Sequence, residues 1–160
     1  MRVSAYWRTT RTMGAYLVVM DETEEARIAL RFAARSAARM GRTVEILALI
    51  PPQEFVQWSG VQAAMEEEAK LRAEAMVVEA SGTIFEEEGI HPSILVREGD
   101  PIKVVGEVLK EKGNIGALVL GAARESGPGP LVSHFASVAG TLPCPVIVVP
   151  ATLSDSKLTA

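Results

Sequence analysis

The residues able to do chemistry are concentrated at two places, each following an apolar run. Asp21 follows Tyr16–Met20 and opens Asp21-Glu22-Thr23. A carboxylate at the tip of a buried strand serves either as a turn or cap residue or as a ligand contact. The second place is Gly121–Ser133, GAARESGPGPLVS. A glycine-containing turn ahead of a helix offers backbone N–H groups and the positive end of a dipole to an anion. Ser133 fits the N-cap of that helix, a role compatible with an anion site. His134 adjoins it, but spacing alone assembles no base, nucleophile and orienting group around Ser133. Cys144, between Pro143 and Pro145, is the single cysteine, and the chain has two histidines. These counts exclude an intramolecular disulfide framework and a cysteine-based zinc knuckle, and no metal site is expected. Free cysteine at a strand entrance reads as a small buried hydrophobe.

The elements that must position these residues alternate between apolar runs and helical patterns. Tyr16–Met20 is continuously apolar, as a strand buried on both faces requires. Thr23 then offers an N-cap, with Glu24 and Glu25 in the first turn, and Ala26, Leu30, Ala33, Ala37 and Met40 line one helical face before Gly41. Val44–Ile50 is a second strand, closed by Pro51-Pro52. After a loop with Phe55, Trp58 and Gly60, a long helix runs from about 61 to 88, with Val61, Ala64, Leu71, Ala75, Val78 and Phe85 as its expected inner face. Pro92–Arg97 is a third strand. Asp100 caps a helix with Pro101 in its first turn. Ala117–Leu120 is a fourth strand, a short helix is expected at about 133–140, and Pro145–Val149 is the fifth strand.

Helical crossovers between strands predict an α/β fold: a five-stranded parallel sheet, order 3-2-1-4-5, with helices on both faces. In such a sheet ligands bind beyond the carboxyl ends of the strands, at the switch point. That brings Asp21 and Gly121 to one crevice. The 160 residues amount to one domain: an arm at 1–14, a folded unit at 15–150 and a polar tail at 151–160. The arm carries Arg2, Arg8 and Arg11, no acid, and Tyr6 and Trp7; it is either a frayed end, with Met13 a second possible start, or a segment that folds over a partner chain.

A formal charge of −4 (16 Lys+Arg against 20 Asp+Glu) argues against nucleic-acid binding. No apolar run approaches the ~20 residues of a membrane span, and no secretory signal is visible, so a cytoplasmic protein without membrane association is expected. Arg27, Arg31, Arg35 and Arg39 form a like-charged stripe, expected to be balanced in part by Glu67, Glu68 and Glu74 or to dock an acidic partner.

Val119 to Pro150, VLGAARESGPGPLVSHFASVAGTLPCPVIVVP, resembles the universal stress protein family. So do LVVMDETEEARIAL near the start, VREGDPIKVV at the entry to the third helix, and LPCPVIVV at the end. The resemblance spans about 15–150. In nucleotide-binding members the acid contacts the ribose or adenine region, the end of strand two contacts the base, and the glycine turns and hydroxyl cradle phosphates. It thereby implies Asp21, Leu49, Ile50, Gly121 and Ser133 as candidate nucleotide contacts. The family's second glycine falls on Arg124, the glycine before the serine falls on Val132, and the spacer is about two residues shorter. Gly127 and Gly129 can compensate, and Arg124 can bring charge to a phosphate, but Pro128 and Pro130 each lack an N–H.

The resemblance implies a homodimeric stress-response or regulatory module, not an enzyme, with a degenerate nucleotide site and no bound cofactor. The alternative is an ATP- or AMP-binding member acting as a nucleotide-dependent switch. An adenine-nucleotide hydrolase-like enzyme ranks lower, because a Ser-Gly-Gly-type loop is absent after strand one. A phosphoacceptor receiver domain ranks lower still. The resemblance places the dimer contact at the edge strand, Val146, Ile147, Val148 and Val149. Pairing there satisfies open backbone groups of the edge. A protein client is a further possible partner.

Overall fold

The computed structural model describes residues 14–52 and 58–153. The chain runs β1 (Ala15–Met20), α1 (Glu24–Met40), β2 (Val44–Ile50), α2 (Ser59–Glu88), β3 (Ser93–Glu98), α3 (Pro101–Glu111), β4 (Ile115–Ala122), α4 (Pro130–Ser137), a 3-10 turn (Ala139–Thr141) and β5 (Val146–Pro150). All strand pairs are parallel, in the order β3-β2-β1-β4-β5. This is the topology expected from the alternation of apolar runs with helical crossovers.

The sheet separates two cores. Tyr16, Val18 and Met20 face α1 and α2, together with Val77 and Ile84. Leu17 and Val19 face α3 and α4, together with Val105, Val108 and Phe135. Every residue of β1 and β2 is buried, which accounts for their unbroken apolar runs. The exception in type is Glu45, 5% exposed, whose carboxylate meets Lys112 Nζ at 2.5 Å. Burial of that charge is tolerated because it is paired.

Local signals set the helix ends. Thr23 Oγ1 accepts from the Ala26 N–H, and Asp100 accepts from the Lys103 N–H at 3.0 Å. Gly41 and Gly89 close α1 and α2 in the left-handed region, at φ 66° and 68°. Among the described residues no helix is long and apolar enough to cross a membrane.

Three expectations are corrected. The buried face of α2 consists of Ala69, Ala73, Val77 and Ile84, whereas Val61, Leu71, Val78 and Phe85 are exposed; Ala64 and Ala75 are exposed too. Two apolar stripes with helical spacing coexist on α2. The one with alanines lets the helix approach Ile50 and Val96 on the sheet. The arginine stripe of α1 pairs with the far end of α2, Arg31 with Glu87 at 3.0 Å and Arg35 with Glu88 at 2.8 Å, not with Glu67, Glu68 and Glu74. Finally, α4 starts at Pro130, with Gly129 as its cap at φ 99°, so Ser133 lies inside the helix. Proline at the first helical position loses no helix bond, and glycine alone takes the preceding angle without strain. The Ser133 N–H bonds to Gly129 O at 3.0 Å, as an interior turn requires. The aromatic arm and Phe55 lie outside the described residues.

Candidate functional site

The carboxyl ends of β1 and β4 diverge and leave a crevice of ≈ 240 Å³ between α1, α3 and α4. An adjoining cleft of ≈ 210 Å³ lies between the end of β2, the turn joining β1 to α1, and α2. Asp21, Thr23, Leu49 and Pro51 line both, so Asp21 stands on the wall between the two. This is the switch point of the sheet, where neighbouring crossovers leave to opposite faces and cannot close over the strand tips.

The sequence candidates divide. Asp21, Leu49, Gly121 and Gly129 come together in the first crevice, and Ile50 joins Asp21 and Leu49 in the adjoining cleft. Arg124, Gly127 and Ser133 do not line either. Arg124 Nη2 donates to Ala151 O at 3.1 Å, while the Ala151 N–H donates to Ala122 O at 3.0 Å. The guanidinium thus ties the loop after β4 to the chain leaving β5. Ser133 is exposed on α4.

Asp21 is committed to the local fold through one oxygen. Its Oδ1 accepts from the Thr23 N–H at 2.9 Å and from Thr23 Oγ1 at 2.5 Å. This turn delivers Thr23 to its capping position on α1. Among the described residues Oδ2 makes no hydrogen bond, so the carboxylate retains acceptor capacity beside the crevice.

Gly121 has a packing reason. A Cβ there would lie 2.2 Å from Glu25 O and 2.5 Å from its carbonyl carbon. The first turn of α1 rests on the end of β4, and no side chain fits between them. The loop after Gly121 turns through Ser126, Gly127 and Gly129 at φ 57°, 83° and 99°. The Ala123 N–H closes it onto Pro128 O at 3.3 Å. The loop presents Pro128, Gly129 and Pro130 to the crevice. Two of these three have no N–H to donate.

Sequence reasoning missed Thr23, Pro51, Pro101 and Leu131 as lining residues. Thr23 and Pro101 are visible in the sequence only as helix-start signals. Their place at the mouth of the crevice follows from the helices beginning where the strands end. Burial pushes the Cys144 thiol up from its ordinary range, opposed by a hydrogen bond from the Leu118 backbone. The sulfur packs in the core beneath α3 and α4, away from the crevice. Among the described residues no group of three His, Cys, Asp or Glu side chains is placed to hold a metal ion.

Comparison with known proteins agrees with the fold. The model of the universal stress protein family matches residues 14–150. No curated protein sequence matches the chain. Among solved structures, the universal stress protein UspA from Lactobacillus plantarum is 16% identical, with a TM-score of 0.74 over 86% of this chain and 97% of its own. A universal stress protein family member from Burkholderia pseudomallei is 15% identical, with a TM-score of 0.69 over 88% and 98%. The universal stress protein from Archaeoglobus fulgidus in complex with dAMP is 22% identical, with a TM-score of 0.57 over 85% and 96%.

Proposed function

The chain belongs to the universal stress protein family, and we propose that within it this protein is a homodimeric, non-enzymatic stress-response module whose phosphate subsite is degenerate. The observation that carries this reading is the lining of the crevice between Asp21 and α4. Where a polyphosphate would need converging amide donors, the loop supplies Pro128 and Pro130. The arginine that could have replaced those donors with charge is turned to Ala151 O. The Thr23 hydroxyl that meets Asp21 on the crevice wall also accepts from the Ala26 N–H as the cap of α1, a structural use that supports a binding or pairing role over catalysis.

Dimerisation is proposed through β5. It is one edge of the sheet, and among the described residues no further strand pairs with its outward side. A two-fold axis there would make the sheet continuous across two protomers.

A second reading, a nucleotide-dependent switch, is supported by the dAMP complex of the Archaeoglobus fulgidus relative. It is supported also by the retention of Asp21 and Leu49 around the adjoining cleft. The two readings differ in what the phosphates contribute. Calorimetric titration with adenosine, AMP and Mg²⁺-ATP is the test. On the first reading the three ligands bind equally weakly or not at all. Micromolar ATP affinity that rises with each added phosphate overturns it in favour of the switch.

A further inference from the structure

The long helix α2 carries a second apolar face that neither the fold nor the crevice uses. Its buried residues Ala69, Ala73, Val77 and Ile84 belong to the cores against the sheet. Leu71, Ala75, Val78, Gly82 and Phe85 follow one another at intervals of four and three residues. At 3.6 residues per turn these five lie on the side of the helix opposite the buried set. All five are exposed, and Leu71, Val78 and Phe85 are 55%, 70% and 47% exposed. The His91 ring stacks on Phe85 at 4.3 Å and holds it at the end of the row. Alternation of four and three is the spacing of the seam along which two helices interlock. From Leu71 to Phe85 the seam is ~21 Å long. Apolar side chains aligned in this way mark a contact surface, not scattered surface residues.

The small residues of the seam and the charge beside it select the occupant. Gly82 stands inside α2, where glycine is less favourable than alanine. A Cβ there would meet nothing within 4 Å, so packing within the chain does not call for the glycine. Ala75 and Gly82 leave recesses between Leu71, Val78 and Phe85, into which large apolar side chains of a facing helix fit. Helical geometry sets Glu67 and Glu74 along one flank of the seam and Glu68, Glu79 and Glu86 along the other. Arg72, next to the second flank, lies 4.0 Å from Glu68. A second copy of this chain would set glutamate flanks against glutamate flanks in either orientation, which is unfavourable. A helix with lysine or arginine beside its apolar stripe meets opposite charge on both sides.

We propose that the Leu71–Phe85 seam of α2 docks a cationic amphipathic helix of another protein. The apolar stripe of that helix fills the recesses at Ala75 and Gly82, and its basic residues face the glutamates of the two flanks. The surface shares no residue with the crevice or with β5, so it stands or fails apart from the nucleotide and dimer readings.

The full-length chain tests this with a fluorescent synthetic helix, leucine at alternate three- and four-residue intervals and lysine elsewhere, followed by anisotropy. A second peptide of the same composition has its leucines moved out of the stripe. The striped peptide should bind at least tenfold more tightly than the scrambled one, and the difference should shrink as salt is added. Leu71→Glu with Val78→Glu should abolish the difference without moving the thermal midpoint, since both side chains are exposed. Glu67→Lys with Glu74→Lys should weaken the striped peptide several-fold in a chain whose apolar seam is intact. Equal affinity for the two peptides overturns the proposal, because charge alone then accounts for binding. Absence of binding overturns it too, as does binding that survives Leu71→Glu/Val78→Glu. A sedimenting mass of the peptide-free chain that falls in Leu71→Glu/Val78→Glu assigns the seam to a second copy and overturns it as well.

Discussion

Substitution of Val148 by proline separates the edge of β5 from its fold. The Leu118 N–H donates to Pro145 O and the Ala151 N–H to Ala122 O. In a parallel ladder the residues of one strand that bond a given neighbour alternate. Residues 145, 147, 149 and 151 therefore face β4 with their backbone groups, and 146, 148 and 150 face outward. Pro150 has no N–H, so Val146 and Val148 are the outward donors of β5. A β5–β5′ pair has to use them. Val148→Pro removes one donor per protomer and two hydrogen bonds per dimer. At ~0.5–1.5 kcal/mol net for each bond, the dimer weakens by ~1–3 kcal/mol. That corresponds to a rise in Kd of ~5- to 150-fold. The monomer should be spared. Proline is tolerated on an edge strand whose N–H faces solvent, and Val148, 43% exposed, leaves room for the ring. Sedimentation equilibrium gives the Kd, and thermal unfolding followed by circular dichroism reports the fold. An unchanged Kd in a folded Val148→Pro chain refutes the β5 interface. A parent chain that is monomeric at micromolar concentration refutes dimerisation altogether. Collapse of the folded state would show that the Val148 N–H belongs to the ladder with β4, against the alternation argued above.

Lys112→Met leaves the Glu45 carboxylate buried without its ammonium; unfolding by urea should show a loss of ~3 kcal/mol, toward the low end for a broken buried pair because Lys112 is partly exposed. Glu45→Gln combined with Lys112→Met should recover part of that loss, since no bare charge then remains buried. Cys144 should resist iodoacetamide at neutral pH in the native chain and react once the chain is unfolded in urea, because burial holds its pKa above the ordinary thiol value. The sign for stability follows: the neutral thiol's contribution is fully present below the unfolded-state pKa, ~8.5, and is lost as pH rises through the higher folded-state value. Cys144→Ala should remove that alkaline component of the unfolding profile. Gly121→Ala should cost ~3 kcal/mol or more by forcing α1 away from β4, read from the thermal midpoint, whether or not nucleotide is added.

The strand order was legible because each strand of a covered parallel sheet announces itself as an apolar run, as Tyr16–Met20 and Val44–Ile50 do. The gathering of Asp21, Leu49 and Gly121 followed from topology, since strand tips at the switch point meet whatever their side chains. The illegible parts depend on choices made between distant segments. Both stripes of α2 have helical spacing, and only the sheet beneath decides that Ala69, Ala73, Val77 and Ile84 turn inward. The partners of Arg31 and Arg35 depend on where α2 ends beside α1. Arg124 reaches Ala151, twenty-seven residues on, a contact that no spacing rule contains. The start of α4 was a local error: Gly129-Pro130 carries the stronger start signal than Ser133, because it combines a left-handed angle with a residue suited to the first helical position.

The glycines of the loop bear on function in a way that family pattern alone does not. Gly121 is required by the 2.2 Å approach of Glu25 O, so its presence says nothing about a phosphate. Gly127 and Gly129 have open space where a Cβ would stand, and they supply left-handed backbone, φ 83° and 99°. That backbone brings Pro128 O to the Ala123 N–H and caps α4. Each glycine is therefore explained by packing or by the turn. If the crevice has lost its phosphate subsite through missing donors, restoring donors should restore affinity, and restoring glycine alone should not. Arg124→Gly should loosen the tie to Ala151 and leave ATP binding unchanged. Pro128→Ala with Pro130→Ala gives the loop two further N–H groups. With charge-assisted bonds at ~1.5–3 kcal/mol each, ATP affinity should rise by one order of magnitude or more over that for adenosine. Equal ATP and adenosine affinities in that variant would mean that the loop's shape, not its donor count, closes the subsite.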